Sequence, residues 1–192
     1  MKTHSIYVKN MVCNRCIMVV ENALKQTGLN NTSVSLGEVK ISQEPSAEQI
    51  EMLDALLTQH GFERIDDKKS RVLEQIKASV IHTIHHHDRF DLTINWSHFL
   101  SEKIGYDYGY LSHLFSTVTG TTLEQYIIKQ KIEKVKEYLF YDELSVKEIA
   151  YKMGYSSVAH LSSQFKKVTG LTPTAFKALR KPTDRKSLDH IL

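Results

Sequence analysis

The residues best equipped for chemistry in this 192-residue chain are its two cysteines, Cys13 and Cys16, set in a Met11-x-Cys-x-x-Cys run. Thiols at this spacing share one turn of chain, where two sulfurs can hold a soft cation or close into a reversible disulfide. A structural disulfide is not expected. The chain shows no secretory signal and no apolar run long enough to span a membrane, which points to a reducing cytoplasm. Structural zinc is poorly served by one pair of ligands unless two chains share their sulfurs. Three uses of the pair stay open: binding a thiophilic metal, with Cu(I) leading; redox sensing; or a retained fold that holds no ion and serves another ligand or partner. A second cluster, His82, His85, His86 and His87, places 82 and 86 one helical turn apart, as a chelate would need. The plainer reading is a helix end, where protonated imidazole meets the negative pole of the dipole. His60 is a weaker candidate as a third ligand for the cysteines. There is no phosphate-cradling glycine loop, nucleophile elbow or His-Glu-x-x-His motif, so no enzyme is expected.

The elements that must position the cysteines are short and mixed. Residues 5–9 alternate in the manner of a strand, and a helix opens at the cysteines and runs to about Thr27. Strands near 32–35 and 38–42, joined at Leu36-Gly37, predict a hairpin. Pro45-Ser46-Ala47-Glu48 opens a second helix with Ile50, Leu53, Leu56 and Leu57 on one face, ending at Gly61 before a strand over 62–65. The order βαββαβ is that of a ferredoxin-like α+β domain, assigned to residues 1–66. Strand, Met-x-Cys-x-x-Cys, helix and the late Gly61-Phe62 together resemble the heavy-metal-associated domains of copper chaperones and metal-pumping ATPases. That resemblance implies Cys13 and Cys16 as ligands, a helix N-terminus stabilising their thiolates, Met11 packed beneath the loop and Phe62 shielding it. Asn10 stands where that family usually has Gly.

The rest of the chain repeats itself. Ile104-Gly105-Tyr106, Leu111, Phe115, Thr119-Gly120 and Tyr126 recur as Met153-Gly154-Tyr155, Leu161, Phe165, Thr169-Gly170 and Phe176, 49 to 50 residues later. Each copy reads as helix, Gly turn, second helix and a Thr-Gly stop, which is the layout of a helix-turn-helix. Gly105 and Gly154 suit a bend that needs positive φ, and Ser101 and Ala150 are small where the two helices must approach. Ser145-Val146-Lys147-Glu148 has the form of a capping box and predicts a helix start near Val146. The second helices are expected over 108–118 and 157–168, with Leu111, Leu114, Phe115 and Val118, and Leu161, Phe165 and Val168, on their apolar faces. Between the copies, Leu123, Ile127, Ile128, Ile132, Val135 and Leu139 predict a helix of about 18 residues, roughly 27 Å long. A strut of that length would set two reading helices in successive major grooves, about 34 Å apart.

The runs Ile149-Ala150-Tyr151-Lys152-Met153-Gly154-Tyr155-Ser156-Ser157 and Gln164-Phe165-Lys166-Lys167-Val168-Thr169-Gly170-Leu171-Thr172-Pro173, followed by Phe176, resemble the DNA-binding domain of AraC/XylS-type transcription regulators. The likeness covers residues 92–180. It implies an all-α, seven-helix tandem helix-turn-helix domain in which Gly109, Ser112 and His113 of the first motif and Val158, Ala159, Ser162 and Ser163 of the second face bases. The family often carries Arg or Gln at such places, for bidentate contacts to guanine and adenine. Small side chains here suit thymine methyls, water or shape readout instead. Ser156, Ser157, Lys166 and Lys167 are placed for DNA phosphates, at a helix N-terminus and near its end. The bland alternative is a cap and a solvated face.

Charge is unevenly spread. Residues 1–66 carry six Lys or Arg against eight Asp or Glu, and 67–192 carry nineteen against fourteen. A mildly basic C-terminal part permits phosphate contact without requiring it. A helical linker, 67–91, carries Leu73, Ile76, Val80 and Ile84 on a helix over 71–87; such a stripe either packs on its neighbours or pairs with a second chain as a homodimer. Residues 181–192 read as a frayed tail. The expectation is a cytoplasmic DNA-binding transcription regulator with a double-stranded operator as partner and RNA polymerase as a candidate partner. Its Cys-x-x-Cys domain would sense Cu(I), another thiophilic metal or another signal. The alternatives are a metal-trafficking protein whose helical part recruits a partner, and a Cys-x-x-Cys redox sensor or oxidoreductase.

Overall fold

The computed structural model describes residues 4–65, 68–86, 94–179, 188 and 191. The chain divides into two compact units, Met1–His82 and Thr83–Leu192.

In the first unit, strands β1 (His4–Lys9), β2 (Asn31–Ser35), β3 (Glu38–Ile41) and β4 (Glu63–Ile65) form an antiparallel sheet in the order β2-β3-β1-β4. Helices α1 (Asn14–Gln26) and α2 (Ala47–Gln59) complete the order β1α1β2β3α2β4. Strand alternation decides which side chains face inward: Ile6, Val8, Val39 and Ile41 are buried, together with Val20, Leu24, Leu53 and Leu57 from the helices. The turn between β2 and β3 relies on Gly37, whose φ of 83° is open to glycine without strain. Ser46 starts α2 with a reciprocal capping box, its hydroxyl accepting from the Gln49 amide while the Gln49 side chain accepts from the Ser46 amide.

Helix α3 (Lys68–His85) crosses the division between the units. Its first half is tied to the first unit by the Arg71 guanidinium over the Tyr7 ring at 4.9 Å and by Glu74, which accepts from the Asn10 amide at 3.4 Å. Leu73, Ile76, Val80 and Ile84 are all buried, so the apolar stripe is covered within the chain and is not a free surface for pairing with a second copy.

The second unit is helical: after the last turn of α3 come α4 (Trp96–Ile104), α5 (Tyr108–Thr119), α6 (Leu123–Tyr141), α7 (Val146–Lys152), α8 (Val158–Thr169) and α9 (Pro173–Leu179). Ser145 and Glu148 form the capping box expected at α7, and the hydroxyl and amide of Ser145 hold the Glu148 carboxyl below the usual carboxylate range. The 19 residues of α6 span about 28 Å and carry much of the core on two faces: Leu123, Tyr126 and Ile127 near its start, and Ile132, Val135 and Leu139, about half a turn round, farther along. Two valines depart from expectation. Val118 is 53% exposed and Val168 39%, because each lies in the last turn of its helix, beyond the reach of the neighbours that cover Phe115 and Phe165.

The histidine cluster separates in the same way. His82 and His86 are exposed, His85 turns inward, and His87 lies outside the described residues. Among the described residues no group of three or more His, Cys, Asp or Glu side chains is placed to hold a metal. His85 is not a protonated helix end: its Nε2 lies 2.9 Å from Gln130 Oε1, and burial pulls its pKa down to about 4. Gln130, fully buried, donates in turn to the Tyr126 hydroxyl and the Leu188 carbonyl. An imidazole that is neutral when folded but titrates near 6.5 when unfolded makes the unfolded chain the greater proton binder between those values. Stability is then full above about pH 6.5 and falls as the pH drops toward about 4. His85→Gln is expected to flatten that acid limb in urea melts at about pH 5 and about pH 7.5; an unaltered pH slope would assign the limb to other groups.

Candidate nucleic-acid interface

The two halves of the repeat fold alike down to single hydrogen bonds. Helix α4 ends on Gly105 at φ 80°, and the α7 turn passes through Gly154 at φ 69°, with the Tyr155 amide reaching back to the Ala150 carbonyl at 2.9 Å. These left-handed residues redirect the chain from the first helix of each motif into the second. Asp107 then caps α5, accepting from the Gly109 amide at 2.7 Å, and Ser157 caps α8, accepting from the His160 amide at 3.1 Å. The second helices stop identically. Thr119 and Thr169 each donate to the carbonyl four residues back at 2.8 Å, before Gly120 and Gly170 at φ 72° and 82°. Thr122 and Thr172 cap the following helices, each at 3.2 Å. Phe115 meets Tyr126 at 5.0 Å between ring centroids, and Phe165 meets Phe176 at 5.5 Å. One aromatic pair thus locks each second helix to the element after it.

That locking leaves one face of α5 and one of α8 uncovered. Leu111, Leu114, Phe115, Leu161 and Phe165 point inward, while Gly109, His113, Val158, Ala159 and Ser163 are exposed and Ser112 and Ser162 half-buried. Gly109 also sits close against its cap: a Cβ there would lie 2.9 Å from the Asp107 carboxylate. Ser156, Ser157, Lys166 and Lys167 are all exposed, at the N-terminal and C-terminal ends of α8. The Ser157 hydroxyl is already engaged as the cap and that of Ser156 lies 3.1 Å from His160 Nδ1, so an anion at this end would meet backbone amides more than hydroxyls. Helix α8 ends with two lysines and opens with no acidic residue, and nothing on its exposed face carries negative charge.

Two exposed side chains on these elements were not singled out by the repeat. His160, in the first turn of α8, stands edge-on to Tyr155 at 5.2 Å, and Tyr110 stacks on Tyr106 at 5.1 Å at the start of α5. Their signal in the sequence was their offset from the glycine turns, which puts Tyr110 and His160 early in the second helices.

The cysteines lie at the start of α1 in the first unit. Cys13 is the N-cap and Cys16 sits in the first turn, both half-buried, with their sulfurs 3.6 Å apart. Asn10 adopts φ 70°, the left-handed geometry a glycine would take, and its side-chain amide donates to the Gly61 carbonyl at 2.9 Å. Met11 and Phe62 are both buried. Burial pushes the Cys13 thiol up, but hydrogen bonds from Cys16 and Arg15 and the Arg15 charge outweigh it and leave it below its ordinary value. Burial leaves the Cys16 thiol above its own. Alkylation with iodoacetamide near pH 8 is expected to label Cys13 faster than Cys16. Peptide mass spectrometry of a short time course reads this directly, and equal or inverted rates would contradict it. His60, at the end of α2, is exposed and joins no ligand cluster with the cysteines among the described residues.

Comparison with known proteins bears on the C-terminal unit. Residues 100–178 match the family model described as a helix-turn-helix domain. The chain is similar to the HTH-type transcriptional regulator YtdP of Bacillus subtilis (strain 168), 25% identical over 115 residues, which are 60% of this chain and 14% of that protein. It is also similar to an HTH-type transcriptional regulator of Staphylococcus aureus, 30% identical over 125 residues, 64% of this chain and 15% of that protein. The chain thus spans 14–15% of the length of these curated relatives. Among solved structures, the C-terminal domain of AraT, a response regulator from Geobacillus stearothermophilus, aligns at TM-score 0.49 and 24% identity over 63% of this chain and 95% of that one. Residues 100–178 thus match the helix-turn-helix domain model, and the relatives that share this part of the chain are HTH-type transcriptional regulators.

Proposed function

We propose that the chain is a sequence-specific, AraC-type transcription regulator that reads a double-stranded DNA operator with α5 and α8. The observation that supports this most is the duplicated geometry: two helices each with a side-chain N-cap, the same Thr-Gly stop, a matching aromatic lock and an uncovered face, joined by a strut of about 28 Å. Gly109, Ser112, His113, Val158, Ala159, Ser162 and Ser163 face base edges. Short side chains favour close approach of the helix backbone, with thymine methyls, water and groove shape as the discriminating contacts. Lys166, Lys167 and the amides at Ser156 and Ser157 hold phosphates. RNA polymerase is the further partner of such a regulator.

In this reading the first unit, with its element order β1α1β2β3α2β4, is a ferredoxin-like, heavy-metal-associated-like sensor. Two sulfurs 3.6 Å apart, one with a lowered pKa, at a helix N-terminus, fit a soft monovalent cation such as Cu(I) and do not supply the four ligands of structural zinc. Bound metal would act only by favouring the DNA-competent state over the other. Retardation of genomic fragments by the full chain, competed with unrelated DNA and repeated across salt, tests the first part. Specific complexes whose affinity falls linearly with log salt are expected; no retained fragment at low salt would remove the reading. Cys13→Ser with Cys16→Ser is expected to keep basal DNA affinity and lose its Cu(I) dependence. Tight Cu(I) uptake without DNA binding would instead favour metal trafficking, and dithiol-driven insulin reduction an oxidoreductase.

A further inference from the structure

Within the helical unit, a cavity of about 300 Å³ opens between the two helix-turn-helix motifs and the strut. Its walls come from all three: Trp96 and Tyr108 from the first motif, Tyr155 and Gln164 from the second, and Glu124 and Lys131 from α6. That volume stands at the lower end of small-ligand pockets, roughly 300–1,000 Å³.

Lys131 is the anomaly in this cavity. Its ammonium lies 4.4 Å from the Tyr155 ring centroid, and among the described residues it has no carboxylate or carbonyl partner. Burial pulls its pKa down to about 8, as expected of a cation removed from water without a counter-charge. The face of a tyrosine offsets only part of that desolvation. The Tyr155 hydroxyl is already donated to Gln164 at 2.7 Å, so the ring cannot turn away to make room for another partner. Glu124, exposed, lies seven residues back along the same helix, about 10.5 Å down its axis, too far to neutralise Lys131.

We infer that this cavity is a binding site for a small carboxylate with a flat apolar body: the carboxylate on Lys131 and the body between the rings of Trp96 and Tyr155. The anion supplies the counter-charge that the fold withholds, and the aromatic walls bury the remainder. Because one wall belongs to each motif and one to the strut, an occupant touches everything that sets the relative placement of α5 and α8. It would therefore change DNA affinity wherever its own affinity differs between the two placements.

Trp96 is the chain's single tryptophan and lines the cavity, which makes its emission a direct reporter. The test titrates the full chain, without DNA, with phenylacetate, and with phenethylamine as a cation of the same body. Saturable change in Trp96 emission with phenylacetate and none with phenethylamine is expected. Lys131→Met should raise the half-saturating concentration about tenfold or more, and Lys131→Arg should largely keep it. An unsaturable response, equal responses to both probes, or an unchanged titration in a folded Lys131→Met would overturn the inference. If Lys131→Met does not fold, the two probes on the unaltered chain and on Lys131→Arg decide. Should Lys131→Met instead shallow the salt slope of DNA binding by about 1 while phenylacetate has no effect, the cation serves a DNA phosphate and the inference falls. Absence of DNA binding leaves this titration untouched, so the two readings fail separately.

Discussion

Phe165→Ala is expected to destabilise the helical unit by about 3–5 kcal/mol, a large fraction of the roughly 5–15 kcal/mol that holds an ordinary protein folded. Phe165 is fully buried and stands edge-to-face with Phe176, centroids 5.5 Å apart and planes at 74°. Truncation removes the transfer energy of a phenyl ring, leaves a cavity that α8 and α9 are too constrained to close, and ends an aromatic contact worth about 0.5–1.5 kcal/mol beyond its area. Its carbonyl also accepts from Thr169, so the helix stop next to it loosens with it. Urea unfolding followed by Trp96 emission isolates this unit from the first, because the only tryptophan lies within it. A loss below about 1 kcal/mol would mean that α8 is not anchored by this pair.

The double substitution Ala159→Glu with Ser163→Glu is expected to abolish specific DNA retention, with roughly a hundredfold loss or more. The two positions are four residues apart, both exposed, and neither touches the core, so folding should change only by the few tenths of a kcal/mol of a like-charge pair. On a reading helix, however, both carboxylates would enter the groove against base edges and phosphates. Each misplaced contact there costs about 1–3 kcal/mol, before the added repulsion of two charges by the duplex. Retardation of the selected fragment, alongside a urea melt showing an intact fold, measures it. Unchanged retention in the double variant would remove α8 as the reading helix.

Much of this arrangement was legible because local rules acted alone. Glycine needs at positive φ, the Ser145 to Glu148 capping box and the three-and-four spacing of Leu161 and Phe165 depend on neighbours within a turn or two of chain. The order of strands and helices in the first unit was readable for the same reason. The valines at 118 and 168 were misassigned because spacing defines a helical face but not how far along the axis a partner extends. His85 shows the same limit: a histidine ending a helix reads as a cation at a dipole, and only the approach of Gln130, 45 residues away, makes it neutral and buried. Asn10 read as a departure from glycine, yet it takes φ 70° with its own side chain bound to Gly61.

The sequence by itself determined that there are two repeated helix-turn-helix copies, where α7 starts and where α5 and α8 stop, and that two thiols share one turn, since all of these follow from contacts between residues close in the chain. The tertiary structure alone decided which faces remain open, that the linker stripe is covered, and that Lys131 stands against Tyr155 beside a cavity without a counter-charge. Those properties belong to surfaces brought together from distant segments, and burial, which sets both the desolvation of a charge and the exposure of a reading face, has no value until the chain has closed around it.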